Sequence, residues 1–407
     1  MTLGNGAVTQ RAALWVLVGA LTVGLVACSS APAEPPVAPS SSQAPVPSSV
    51  GPAPKPVGLA IQPADAAVDV APGEPVTVTA TDGKLTEVVL TNPEGNPVAG
   101  QLAPDGASWR STEPLGYGKT YQAKATGRGT DGNTATATAS FTTVRPRRQA
   151  NLSMNPLDGQ TVGVGQPLAF YFDSAVVNKD VVEKAIQITS TPEVEGAFYW
   201  FDDRQVHWRP VDYWKPGTKI NINAAVYGKH LGNGVYGRQD RAANVTIGDS
   251  VIVLADGQTH QATVTINGEL ARTIPISMGK RRYETPNGTY VMMSEHTDYT
   301  MDSSTYGVPI DAAEGYRTKV AVATRLSNSG IFFHSAPWSV RQQGNSNVSH
   351  GCINMSTENS RWLQEVSNKG DIFIVRNSGG PTLQPTDGLG IWQIPWETWR
   401  KGGKKQR

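Results

Sequence analysis

Apolar positions between residues 59 and 276 fall into short alternating runs, broken by turn signals every ten or so residues. A period of two predicts half-buried β-strands. Two blocks of this stretch repeat. GEPVTVTA at Gly73 to Ala80 returns as GQPLAFYF at Gly165 to Phe172, and SWRSTEPLGYGKTY at Ser108 to Tyr121 returns as HWRPVDYWKPGTKI at His207 to Ile220, at offsets of 92 and 99 residues. A repeat near a hundred residues predicts two β-sandwich domains, 59–147 and 148–249, Ig-like in architecture but without a cysteine pair. Trp109 and Trp208 read as core anchors, and Asp82-Gly83 and Asp131-Gly132 as hairpin turns.

A third domain is predicted over 250–377. Ala262 to Ile266 and Glu269 to Ile276 flank Asn267-Gly268, a strong hairpin signal. Ile331 to Phe333 form a β-branched and aromatic run, a buried strand with His334 at its end. Ser356 suits a helix N-cap and Glu358 its first turn; Trp362, Leu363 and Val366 make the apolar face, and Gly370 is the predicted stop. Asp371 to Arg376 reads as a closing strand. Met301 to Lys319 shows neither period, and an ordered loop of that length before a reactive residue reads as a lid. In a tail over 378–407, Trp392, Trp396 and Trp399 are spaced to share one helical face that packs back on the protein. The fold class is therefore mainly β, two Ig-like sandwiches and a mostly β domain with one short helix.

The N-terminus departs from this pattern. Arg11 precedes an apolar run from Ala12 to Val26, too short for a stable membrane span, so residues 1–28 read as a signal peptide. It ends in Leu25, Val26, Ala27, Cys28, which resembles a bacterial lipobox. That resemblance implies cleavage before Cys28, a diacylglycerol on its sulfur and a lipid-anchored protein on the extracytoplasmic face of the cell membrane. Residues 29–58 are Ser, Ala, Pro and Val with hardly a charge, a polyproline-like spacer that reaches roughly 90 Å when extended. The chain of 407 residues is 39% hydrophobic, enough to fill several cores, and its net charge of +1 implies no nucleic-acid partner.

Candidate chemistry centres on the second of two cysteines. If Cys28 is lipidated, Cys352 has no partner in a compartment where thiols usually pair. Keeping an unpaired thiol there points to use, against the plain reading of an inert buried cysteine. A nucleophilic cysteine needs a base or a positive neighbour. His350, two residues away, and His334, across a fourteen-residue loop, are the candidates, and His334 at a packed strand end is preferred. The N–H groups of Gly351 and Cys352 are then placed to face an oxyanion. SMGK at Ser277 to Lys280 fits the Ser-x-x-Lys of penicillin-binding proteins, but the Ser-Asp-Asn and Lys-Thr-Gly elements that accompany it are absent from the sequence. It reads as a strand-end turn. A zinc site from His334, His350 and Cys352 lacks an evident fourth ligand.

His334, then Ser349, His350, Gly351, Cys352, Ile353 and Asn354, resembles the signature of the L,D-transpeptidase catalytic domain. MDSSTYGVP at Met301 to Pro309, HSAPWSV at His334 to Val340 and the Trp-rich end extend the resemblance to mycobacterial lipoprotein members with two Ig-like domains, over nearly the whole chain. The resemblance implies acyl transfer between peptidoglycan stem peptides. Cys352 attacks the third residue, meso-diaminopimelate, of a tetrapeptide donor, D-alanine leaves, and a second diaminopimelate amine forms a 3→3 cross-link. It further implies that the Ser335 carbonyl orients His334 and the Tyr316 hydroxyl serves the oxyanion. Met301, Tyr306 and Trp338 would line the lidded cleft, and Ser329 and Gly330 would bind the donor backbone. No metal or organic cofactor is implied, and carbapenems are expected to acylate Cys352. Two alternatives stand beside it: a cysteine L,D-carboxypeptidase with water as acceptor, and a wall-binding lipoprotein without catalysis.

Overall fold

The computed structural model describes residues 53–404, so the signal peptide, Cys28 and nearly all of the spacer lie outside the described residues. Folded chain begins a little before residue 59. Lys55 N–H donates to Thr130 Oγ1 at 2.8 Å and Val57 is already buried. The described chain is mainly β, and among the described residues no helix is long and apolar enough to cross a membrane.

The first sandwich packs a sheet ordered Gly58–Gln62, Thr77–Thr81, Ser108–Ser111 and Gly100–Leu102 against a sheet of Gly83–Thr91, Thr120–Gly129 and Thr134–Thr142. Asp131-Gly132 lies in a hairpin, where Arg128 pairs with Thr134. Asp82-Gly83 does not. The strand before it already has a partner on each edge, so the chain crosses at Asp82 (φ 54°) into the other sheet. A turn dipeptide signals a reversal of direction without saying which strand is the partner.

The second sandwich repeats the plan. One sheet runs Gly196–Trp200, Gln205–Pro210, Leu168–Phe172, Leu152–Asn155, and the other Thr161–Val162, Arg241–Ile247, Lys219–Ala224, Ile186–Thr191. Val78 pairs with Trp109 in the first domain and Leu168 with Trp208 in the second. Relative to the sequence repeat the register has slipped by two residues, which keeps every side chain on its original face. Both tryptophans anchor cores in the same way. A Cβ at Gly100 would lie 1.8 Å from the Trp109 ring, and one at Gly196 2.1 Å from the Trp208 ring, so glycine on the neighbouring strand makes room for the indole. Burying such a side chain contributes about 1.5–3 kcal/mol.

The catalytic candidate domain has two sheets around a core that includes Val253, Tyr290, Phe333, Ile353, Leu363 and Phe373. The five-stranded sheet is ordered Glu269–Pro275, Gln261–Ile266, Val251–Asp256, Ile372–Arg376, Gly288–Val291, and the four-stranded sheet Ser294–Asp302, Arg317–Arg325, Phe332–Ser335, Ile353–Met355. Asn267-Gly268 is the predicted two-residue hairpin, both residues at positive φ. The helix spans Thr357–Val366, and Ser356 caps it by accepting the Asn359 N–H at 3.1 Å. It stops at Ser367, three residues short of the predicted Gly370, which instead turns the chain into the closing strand.

Contacts with the second sandwich hold this domain in place. Gly163 and Gly165 N–H groups donate to Lys369 O (2.8 Å) and Gly370 O (2.9 Å). The C-terminal tail completes the join. Pro395 separates a turn at Gly390–Gln393 from a short helix at Trp396–Trp399, so the three tryptophans do not share one helix. They still converge. The buried Arg209 guanidinium sits 4.4 Å from the Trp392 ring, 5.5 Å from Trp396 and 4.7 Å from Trp399.

Candidate active site

Two neighbouring parallel strands place the thiol and its candidate base. His334 pairs with Asn354, and Cys352, two residues before Asn354, extends the same face. Both side chains are buried, and both line a cavity of about 230 Å³ with Met301, Tyr316, Trp338, His350 and Asn354. His334 Nδ1 donates to Ser335 O at 3.0 Å, which leaves Nε2 as the acceptor nitrogen. Ser335 is fixed in turn, its Oγ accepting the N–H groups of Ala321 (3.0 Å) and Val322 (3.2 Å). Asn354 Nδ2 donates to Ser339 Oγ at 3.0 Å.

A serine hydroxyl knots the loop before the thiol. Ser349 Oγ donates to Cys352 O at 2.6 Å and accepts the Gly351 N–H at 3.0 Å. The Gly351 N–H, expected to face an oxyanion, is therefore taken inside the loop, because a hydroxyl two residues back competes for it. SMGK is more than a strand-end turn. Ser277 N–H donates to Asn354 O (3.1 Å), Asn354 N–H to Ser277 O (2.9 Å), Ser349 N–H to Met278 O (3.0 Å) and Lys280 N–H to Ser349 O (2.9 Å). Thr285 adds a brace, its hydroxyl donating to Gly351 O at 2.7 Å.

Residues 250–375 match the model of the L,D-transpeptidase catalytic domain, and residues 67–230 that of a bacterial Ig domain. The chain is 48% identical over 339 residues to L,D-transpeptidase 2 of Mycobacterium tuberculosis (strain CDC 1551 / Oshkosh), covering 83% of each protein. It belongs to the L,D-transpeptidases. L,D-transpeptidase 5 of M. tuberculosis (strain ATCC 25618 / H37Rv) is 36% identical over 341 residues, 82% of this chain and 74% of that one. A solved LD transpeptidase in complex with imipenem is 35% identical, with 57% of this chain and 100% of that chain covered and a TM-score of 0.49.

In this L,D-transpeptidase the thiol and imidazole are both held neutral. Burial pushes Cys352 up to about 12, against a hydrogen bond from the Phe332 backbone and the Arg325 charge. Burial pulls His334 down to about 4, against hydrogen bonds with Ser335 and Asn354. A dry pocket disfavours either charge. The thiol does not rest on the candidate base: Cys352 Sγ donates to Gly330 O at 3.4 Å.

The segment expected to form a lid is shorter than its sequence suggests. Met301 and Asp302 pair with Thr318 and Arg317 as strand, so the candidate lid is residues 303–316. It opens on the turn Ser303–Tyr306, where Asp302 accepts the Ser304 N–H at 2.9 Å; the Tyr306 side chain is outside the described part of the structure. Met301 is buried, Trp338 is 56% exposed and lies over His334 with ring centroids 5.9 Å apart, and Tyr316 lies 5.5 Å from His350. His350 is engaged elsewhere than at the thiol. Its Nε2 pairs with Glu314 Oε2 at 2.5 Å, and Lys280 Nζ reaches the same oxygen at 2.7 Å. Hydrogen bonds from Lys280 and His350 lower the Glu314 carboxyl below its usual range.

Ser329, expected beside the donor backbone, gives its N–H and hydroxyl to Asp387 of the tail. Thr285, Glu314 and Asp387 were not singled out by sequence reasoning. Thr285 opens the turn-rich TPNG, Thr285 to Gly288, separated from SMGK by four residues, so a weak signal existed; Glu314 and Asp387 sit among loop residues with no periodicity to mark them.

Proposed function

We propose that this protein cross-links peptidoglycan by cysteine acyl transfer, through Cys352 and His334. The S–H bond turns about Cβ–Sγ from Gly330 O to His334 Nε2, the sulfur keeping its place, and gives up its proton as sulfur attacks the diaminopimelate carbonyl of a tetrapeptide donor. The Tyr316 hydroxyl and the Cys352 N–H hold the oxyanion. On collapse the C–N bond breaks, the imidazolium proton goes to the departing D-alanine amine, and a thioester remains on Cys352. The side-chain amine of a second diaminopimelate then attacks the thioester. His334 takes its proton and returns one to the leaving thiolate, giving a 3→3 cross-link. No redox step enters, and all protons are exchanged within the site.

The observation that carries this reading is the shared face of Cys352 and His334 in one buried cavity, with Nδ1 occupied by Ser335 O and Nε2 left to act as base. Carbapenems, which resemble the acyl donor, acylate the same thiol. The likeness of Leu25 to Cys28 to a lipobox supports a lipid-anchored enzyme on the extracytoplasmic face of the cell membrane, lifted by the spacer. Incubation with disaccharide-tetrapeptide tests the reaction. A 3→3 dimer and free D-alanine from wild type, and neither from Cys352→Ala or His334→Ala, are expected. Tripeptide without dimer would show water to be the acceptor, and dimer from Cys352→Ala would contradict the proposal.

A further inference from the structure

The thiol's resting acceptor, Gly330 O, belongs to the turn between the strands Arg317–Arg325 and Phe332–Ser335. A hydrogen-bonded chain shapes that turn. Leu326 N–H donates to Ile331 O at 2.8 Å, Ile331 N–H to Ser327 Oγ at 3.1 Å, and Ser327 Oγ lies 2.9 Å from Ser329 Oγ. The chain ends on a carboxylate from far along the sequence. Asp387 Oδ1 accepts the Ser329 N–H at 2.8 Å, and Asp387 Oδ2 accepts the Ser329 hydroxyl at 2.5 Å. These are the two strongest links in the turn, since a charged acceptor makes hydrogen bonds roughly twice as strong as neutral pairs.

The tail backbone is pressed onto the same turn. At Gly388 (φ 74°) a Cβ would lie 3.1 Å from Ser327 Cα and 3.2 Å from Leu326 O. Only glycine lets the chain after Asp387 lie so close in that conformation. Further on, the tail is anchored to the second sandwich by the Trp392 indole N–H on Gly165 O (2.9 Å) and by Arg209 on Ile394 O (2.9 Å). Asp387 therefore reaches the turn from a tethered segment rather than from a free end.

We infer that Asp387 is a positioning residue for the reaction: by gripping Ser329 it sets the Ser327–Gly330 turn so that the Gly330 carbonyl holds the Cys352 thiol where the acyl donor meets it. The C-terminal tail is then part of the catalytic apparatus, and not only a strap between domains. This inference rests on Cys352 being the nucleophile. It assigns Asp387 no contact with substrate and no proton transfer. Its action runs through Ser329 and Gly330.

The test uses the full-length chain and two readouts. One is the Cys352 S–H stretch in the infrared, isolated by subtracting the Cys352→Ala spectrum; a thiol released from a carbonyl absorbs at higher frequency. The other is the kinetics of acylation by a carbapenem. Asp387→Ala is expected to shift the S–H band to the free-thiol position and to lower the maximal acylation rate by about tenfold or more. Its half-saturating concentration should stay within about threefold of wild type, because the change falls on the nucleophile's placement rather than on uniform binding. Asp387→Asn, whose amide oxygen still accepts the Ser329 N–H, should recover most of the rate. An unchanged band and unchanged maximal rate in a folded Asp387→Ala would overturn the inference. If that variant does not fold, Ser329→Ala decides: a band at the wild-type position contradicts the role. Absence of a wild-type adduct would instead defeat the nucleophile reading itself, so the two failures are distinguishable.

Discussion

At the scale of single residues, the pocket's dryness governs the chemistry. A thiol raised to about 12 and an imidazole lowered to about 4 make a neutral pair, not a resting thiolate–imidazolium. In the proposed reaction the proton moves as the donor carbonyl takes sulfur's electron pair. Protonating His334 would remove the proposed base, and its lowered pKa delays that loss to more acid pH. Carbapenem acylation should therefore stay level from about pH 8 to about pH 5 and fall only near pH 4, whereas an exposed imidazole would give a midpoint of about 6.5. A stopped-flow pH profile checks this. The same shift links to stability: His334 is neutral in the fold, so its contribution is complete above about pH 6.5 and lost as pH falls toward 4, in all about 3 kcal/mol. Ser349→Ala, which leaves the Gly351 N–H without its buried acceptor, should cost about 1–3 kcal/mol in urea unfolding and slow acylation at least tenfold. The motif residues were legible because their types and spacing are tied to the chemistry. The fate of the Gly351 N–H was not, because it turns on a hydroxyl two residues away whose direction only the folded loop sets.

At the scale of elements, the candidate lid joins the paired strands Ser294–Asp302 and Arg317–Arg325 and is held by charge. Its C-terminal end is held to the Ser349–Cys352 loop by Glu314, shared between His350 and Lys280, and all three groups are partly solvent-exposed. Exposed pairs are weak and screened by salt. Glu314→Gln should raise amide exchange over residues 303–316 several-fold in hydrogen–deuterium exchange. High salt should do the same to wild type while leaving the variant little changed; equal salt sensitivity in both would count against the contact. The loop was legible because its middle lacks any period, and it was overextended because Met301, Asp302 and Arg317 to Lys319 alternate too briefly to read as strand. The Asp82-Gly83 hairpin failed for another reason: local turn chemistry carries no information about which sheet the next strand joins.

At the scale of the whole molecule, the two sandwiches and the catalytic domain are joined by specific contacts. Between the sandwiches, the Tyr117 hydroxyl donates to Gly237 O at 2.6 Å and the Tyr227 hydroxyl to Leu115 O at 2.5 Å. Beyond them, Arg209 clamps the tail through three indoles. Arg209→Ala should cost about 3 kcal/mol by emptying a buried, ring-lined space, and should release the tail to limited proteolysis. If Asp387 positions the thiol through the tail, that variant should also slow acylation. The domain repeat was visible in the sequence because both copies keep a tryptophan on the same strand. The joints were not, since their tyrosines and glycines meet residues more than a hundred positions away.

The most direct measurement of the central claim is the intact mass of the full-length chain after incubation with a carbapenem, beside Cys352→Ala. One covalent adduct per chain in wild type and none in the variant is the predicted result. An unmodified wild type with its thiol still reduced, or an adduct that persists without Cys352, would contradict acyl transfer through this cysteine.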